Sequence, residues 1–203
     1  MVKIISLFGI LLLYSPNVRS QVAFMGGVNL CYVRNHNLLK DQNPIITYHL
    51  GFSFKMYPFK KKPDLSLQSE IMFNQKGYMQ KLDKDYFFHF SYLSWTILAN
   101  YPIKKEISVN TGLEISGLIS TNVIDGLTTY NHSDIGLVLG ISCFETRRIN
   151  FYSRVVYGLL PMLDYYKIDK LGNFTGNIHD LKNMAFSVGI KINLTNEKIR
   201  LFK

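Results

Sequence analysis

The sequence predicts an all-β chain, an eight-stranded antiparallel up-and-down barrel that crosses a membrane with its strands. Three observations carry this. Beyond its first 20 residues the 203-residue chain alternates apolar and polar with period two almost from end to end, the period of a strand. The alternating runs are 11–15 residues long, which suits the about 9–11 residues of a tilted bilayer-crossing strand better than the roughly 5–6 of soluble domains. The connections between them alternate strictly between long and short, as in a meander whose two ends differ.

The N-terminus, "MVKIISLFGILLLYSPNVRSQVAF", comes first. Lys3 supplies a positive start and Ile4 to Leu13 an apolar stretch too short to span a bilayer. Val18 and Ser20 are small residues at the −3 and −1 positions of a cleavage site. Residues 1–20 are therefore expected to be a secretory signal peptide, cut after Ser20. Losing Lys3 and Arg19 lowers the formal charge from +9 to +7. The predicted barrel domain is 21–195, and residues 196–203 form a basic tail.

Eight runs follow, at 22–33, 45–58, 64–77, 87–101, 107–120, 134–144, 149–160 and 183–194. In the second, Ile46, Tyr48, Leu50, Phe52, Phe54 and Met56 share one face, and Thr47, His49, Gly51, Ser53, Lys55 and Tyr57 the other. In the third, Leu65, Leu67, Ile71 and Phe73 oppose Ser66, Gln68, Glu70, Asn74 and Lys76. The fourth is greasy on both faces near Phe87–Tyr92; Leu93, Trp95, Ile97 and Ala99 are assigned outward. Connections at 34–44, 78–86, 121–133 and 161–182 are long. "FKKKPD", "PIKKE" and "ETRR" are short, and they place Lys60–Lys62, Lys104, Lys105, Arg147 and Arg148 at one end.

Alternation alone fits a soluble barrel as well. The character of the faces favours the membrane. The apolar face is large and almost free of charge (Phe52, Phe54, Phe73, Trp95, Leu137, Leu139, Phe151, Phe186, Ile190). The polar face is rich in small residues (Gly27, Gly51, Ser53, Gly112, Ser116, Gly136, Gly140, Ser142, Ser187, Gly189), as a narrow lumen requires. Aromatics gather near the short turns, like an interface girdle.

Several stretches, "VAFMGGVNL", "LSLQSEIMFNQKG", "YLSWTILANY", "DIGLVLGISCF", "FYSRVVYGLLPM" and "NMAFSVGIKINL", make the chain resemble the PorT-like family of small bacterial outer-membrane β-barrel proteins, also called porin-family or outer membrane protein beta-barrel domains. Ser94 and Thr96 stand where that family often has glutamate and proline. The resemblance implies an outer-membrane barrel, and its founding member is tied to protein secretion.

Polar residues facing the predicted lumen are the candidate site. Glu70, Glu114 and Arg154 lie near mid-strand, with Lys55 and Lys191 lower. Arg154 is expected to bridge both glutamates, forming a structural plug, because a lone buried carboxylate is costly. No catalytic residues are assigned. His132, Ser133 and Asp134 are adjacent and so ill-placed for a triad, and the histidines lack metal-ligand spacing. Neither a metal nor a cofactor is expected. Cys31 points inward and Cys143 outward on non-neighbouring strands, so no disulfide is expected. The long loops are the expected interaction surface, above all Lys170, Asn173, Phe174, Asn177 and His179. Expected partners are outer-membrane lipid and envelope or secretion proteins, with no nucleic acid and no open pore. A lipid-modifying enzyme and a soluble ligand-binding barrel are the alternatives.

Overall fold

The computed structural model describes residues 20–34, 42–58, 65–81, 83–124, 126–145, 147–168 and 174–194, with backbone alone for 20, 128, 164–168, 174, 175 and 177–180. The expected signal peptide up to residue 19, the lysines of the first short turn and the basic tail lie outside these residues.

The strands are β1 (Ser20–Arg34), β2 (Gln42–Asn43), β3 (Ile45–Met56), β4 (Ser66–Lys81), β5 (Asp85–Lys104), β6 (Ile107–Thr121), β7 (Ser133–Cys143), β8 (Ile149–Gly158), β9 (Leu163–Ile168), β10 (Phe174–Asp180) and β11 (Lys182–Asn193). One helical turn, α1 (Gly126–Thr129), interrupts the loop after β6. The nine-stranded sheet runs β2-β4-β3-β1-β11-β8-β7-β6-β5, and β4 also pairs with β5. That last pairing closes the sheet. The eight long strands β1, β3, β4, β5, β6, β7, β8 and β11 form one antiparallel ring, with β2 a short graft on β4. A ring has no free edges, so ladder hydrogen bonds are satisfied within the wall.

Alternation maps onto the two faces as the sequence implies. Along β3, Ile45, Thr47, His49, Gly51 and Ser53 are buried inside, while Ile46, Tyr48, Leu50, Phe52 and Phe54 are exposed outside. Leu93 and Ile97 of β5 face out, and Tyr92, Ser94, Thr96 and Leu98 face in. The exposed outer residues are a continuous set of large apolar side chains. In water that would be a liability; against lipid it is the wetted surface. Among the described residues no helix is long and apolar enough to cross a membrane.

Two connections differ from the sequence reading. The stretch 78–86 is not a long loop. β4 and β5 stay paired from Ser66↔Asn100 up to Lys81↔Asp85, so the connection shortens to the three positions between Lys81 and Asp85. The cause is cross-strand aromatic stacking: Tyr78 lies 4.8 Å from Phe88. β6 leaves β5 at Phe90↔Thr121. Beyond it Asn122 serves the exposed edge, accepting from His89 N at 2.9 Å and donating to Phe87 O at 2.7 Å. The long connection 161–182 also contains strand: β9 and β10 pair as a separate hairpin. Leu181 follows with φ 64° and redirects the chain into β11.

Candidate functional site

The lumen is built by inward residues of every barrel strand, and its charges fall into three groups. In the middle, Glu70 of β4 has no exposed surface. Its carboxylate accepts from the Arg154 guanidinium of β8, from Lys191 Nζ of β11 at 2.9 Å and from Gln68 Nε2 at 2.5 Å. The ring of Tyr152 lies 5.0 Å from Arg154 and 4.9 Å from Lys191, so an aromatic face offsets the second positive charge. Arg154 has room because Gly140 stands opposite it: a Cβ there would come within 2.7 Å of Arg154 Cβ.

Above this group, Lys76 of β4 sits between Glu114 of β6 at 2.8 Å and Asp134 of β7 at 3.1 Å. Asn183 Nδ2 donates to the same Asp134 oxygen at 2.9 Å, and Ser116 to Glu114 at 3.1 Å. Beside them runs a neutral chain. Asn29 Oδ1 accepts from Ser187 at 2.7 Å and lies 2.7 Å from His49 Nδ1, whose Nε2 meets the Tyr152 hydroxyl. Gly27 and Gly189, directly paired across β1 and β11, clear the space. A Cβ on Gly27 would lie 2.9 Å from His49 Cε1, and one on Gly189 2.5 Å from the Tyr152 oxygen.

At the short-turn end Lys55 meets Glu145 at 2.6 Å. Burial pushes the Glu145 carboxyl up, but the Lys55 ammonium outweighs it and holds the group below the ordinary carboxylate value. A cavity of about 20 Å³ between them, Lys191 and Asn150 has room for a single water.

Among the described residues, four cations (Lys55, Lys76, Arg154, Lys191) and four carboxylates (Glu70, Glu114, Asp134, Glu145) thus face inward, and each has an ionic partner. The middle group carries one excess positive charge and the upper one an excess negative charge, so the interior is neutral. Over the upper group lies an aromatic cap at the long-loop mouth. Val33, Tyr78, Phe90, Tyr92, Leu118, Met162 and Leu181 are buried there, with Phe88, Val123, Tyr130 and Leu163 against them. Loop backbones lock it: Asn131 N donates to Met162 O, and Met162 N to Leu181 O, each at 2.8 Å.

The structure brings Glu70, Arg154 and Lys191 together. It separates Glu114, which Lys76 neutralises in place of Arg154, and it pairs Lys55 with a turn residue rather than with the others. The expected bridge from Arg154 to both glutamates is therefore not the arrangement observed. Lys76 stands a full three inward positions above Glu70 on β4 and reaches Glu114 first. Sequence reasoning passed over Lys76, Asp134, Glu145, His49 and Tyr152 as partners. Inward phase flags Lys76, His49, Asp134 and Tyr152, and register then sets Asp134 opposite Ser116.

His132 and Ser133 are exposed, while Asp134 is buried in the lumen; strand alternation sends the neighbours to opposite faces. Cys31 is buried inside and Cys143 lies at the short-turn end, both as free thiols. Among the described residues no group of three or more His, Cys, Asp or Glu side chains is placed to hold a metal ion. Lys170 and Asn173 lie outside the described residues, and Phe174, Asn177 and His179 fall on the backbone of β10.

Residues 15–164 match the family model described as outer membrane protein beta-barrel domain. No curated protein matches the chain. Among solved structures, it is similar to Neisserial surface protein A (11% identity, TM-score 0.46, covering 87% of this chain and 98% of that one). It is also similar to Ail, the attachment invasion locus protein of Yersinia pestis (13%, 0.45, 87% and 99%). A third is OprG from Pseudomonas aeruginosa (9%, 0.46, 86% and 95%). With a ring of membrane-length strands, an apolar exterior and a charge-balanced lumen, the chain belongs to the outer membrane protein beta-barrel domain family and is an outer-membrane β-barrel.

Proposed function

We propose that this protein is a closed outer-membrane scaffold whose work is done by the loops at its capped end, in a structural or interaction role linked to secretion or envelope maintenance. The observation that carries this reading is the double closure of the lumen, by neutralised ion pairs in the middle and an aromatic cluster at the long-loop mouth. A barrel of eight strands is filled by its side chains, which leaves the loops as the variable, ligand-facing part. The β9–β10 hairpin is the first candidate surface. The PorT-like motifs of the sequence support the tie to secretion. In this reading the long loops face outward, the termini are periplasmic and residues 1–20 direct export.

The test replaces residues 164–180 by a short Gly-Asn turn and follows two properties in cells. The barrel is expected to remain heat-modifiable and in the outer-membrane fraction, while cross-links from the loop face to envelope proteins are lost. Unchanged cross-links would overturn the assignment to this hairpin. Recovery of the intact protein in the soluble fraction would overturn the scaffold itself.

A further inference from the structure

Arg34 and Lys182 are directly opposed across β1 and β11. Both lie on the outward phase, each one step beyond an apolar stripe. On β1 the stripe runs Val22, Phe24, Gly26, Val28, Leu30, Tyr32; on β11 it runs Ile192, Ile190, Val188, Phe186, Met184. Just below the two cations, Tyr32, Met184 and Tyr157 form one row across β1, β11 and β8. Tyrosines at that level mark the membrane interface. The two cations are thus the first charges on this side of the wall at the long-loop end.

Like charges placed directly opposite are destabilising in a sheet. Yet Arg34 is fixed there: its guanidinium lies 5.1 Å from the Tyr157 ring centroid and donates to the Tyr157 hydroxyl. Both side chains are half-buried, and neither has an ionic partner among the described residues. A rigid fork beside a second cation, at the depth of lipid headgroups, suits one chemistry. It is a phosphate dianion, which takes paired N–H donors from arginine and a point charge from lysine.

We infer that Arg34 and Lys182 form a binding site for the phosphate of an outer-leaflet glycolipid, whose acyl chains lie along the β1 and β11 stripes. The inference takes only the name of the leaflet from the orientation given above. Binding is measured in detergent, where orientation has no bearing, so the two can fail separately.

The experiment titrates purified full-length protein in zwitterionic detergent with a bisphosphorylated, acylated glucosamine disaccharide lipid, and with the same lipid stripped of its phosphates. The phosphorylated lipid is expected to bind at least ~10-fold more tightly. Arg34→Gln/Lys182→Gln should lose that difference, and Lys104→Gln/Lys105→Gln, at the other end, should retain it. Inorganic phosphate at equal concentration should not displace the lipid. Equal affinity for the two lipids, an unaffected double variant, or displacement by free phosphate would each overturn the site. A second measurement covers folding. In phosphate-free detergent Lys182→Gln should unfold no earlier than the wild type, because a repulsion is removed. Earlier unfolding would mean that the pair has a counter-charge within the protein, and would equally overturn it.

Discussion

Replacing Glu70 by Gln removes the one negative charge between Arg154 and Lys191. Their side chains are only 3% and 7% exposed, so two cations would be left in a lumen with little solvent. Breaking a buried pair in this way costs about 3–5 kcal/mol, and the Tyr152 ring, which already faces both cations, offers no new compensation. The expected loss is thus about 3–5 kcal/mol. Urea unfolding in phospholipid vesicles would measure it. Trp95, the single tryptophan, is half-buried on the outer wall and donates to Ser69 at 2.9 Å, so its fluorescence reports release from lipid. A double-mutant cycle sharpens the test. Arg154→Met in the Glu70→Gln background removes one orphaned cation, so the double variant should cost less than the sum of the single ones by about 1–3 kcal/mol. Additive losses, or a Glu70→Gln cost below about 1 kcal/mol, would refute the idea that these ions are a dry, mutually dependent group.

Other outcomes follow from the same geometry. Gly189→Ala would put a methyl 2.5 Å from both the Tyr152 oxygen and Gly26 O, and should lower stability by about 1–3 kcal/mol in the same assay. Phe90→Ala, in the middle of the aromatic cap, should cost about 3–5 kcal/mol yet leave the barrel closed, because the ion groups below it remain. Glu145 gives a pH dependence. Its carboxyl is held low by Lys55, so its contribution is present above the ordinary carboxylate value of 4.5 and is lost as pH falls through the lower folded value. Lys55→Gln should remove that acid-side slope from a pH series of unfolding midpoints.

Much of this barrel is legible in the chain because each strand has two differently wetted faces. Ile46, Phe52 and Phe54 against Thr47, Gly51 and Ser53 fix both strand identity and side-chain direction without any tertiary knowledge. The closure of 78–86 into a hairpin is less visible, since Tyr78, Phe87 and Phe88 blur the alternation just where stacking holds the strands together. The β9–β10 hairpin hides for a similar reason: its glycines, asparagines and aspartates carry turn propensity, and pairing overrides it. The lumen shows the other limit. Inward phase identifies Glu70, Glu114, Arg154 and Lys191 as lumen residues, but which cation meets which carboxylate depends on stagger between strands. Lys76 reaches Glu114 because β4, β6 and β7 are offset along the barrel, and no local pattern encodes that offset. Glu145 is further from view, because it enters the lumen from a turn.

The proposed closure of the lumen is tested most directly by single-channel recording in a planar lipid bilayer. Purified full-length protein, inserted and shown to be folded by its heat-modifiable shift, should give no conductance steps above the bare bilayer at any holding potential. Discrete steps whose size scales with salt concentration would mean that ions pass Glu70, Lys76 and the aromatic cap, and would contradict the closed scaffold.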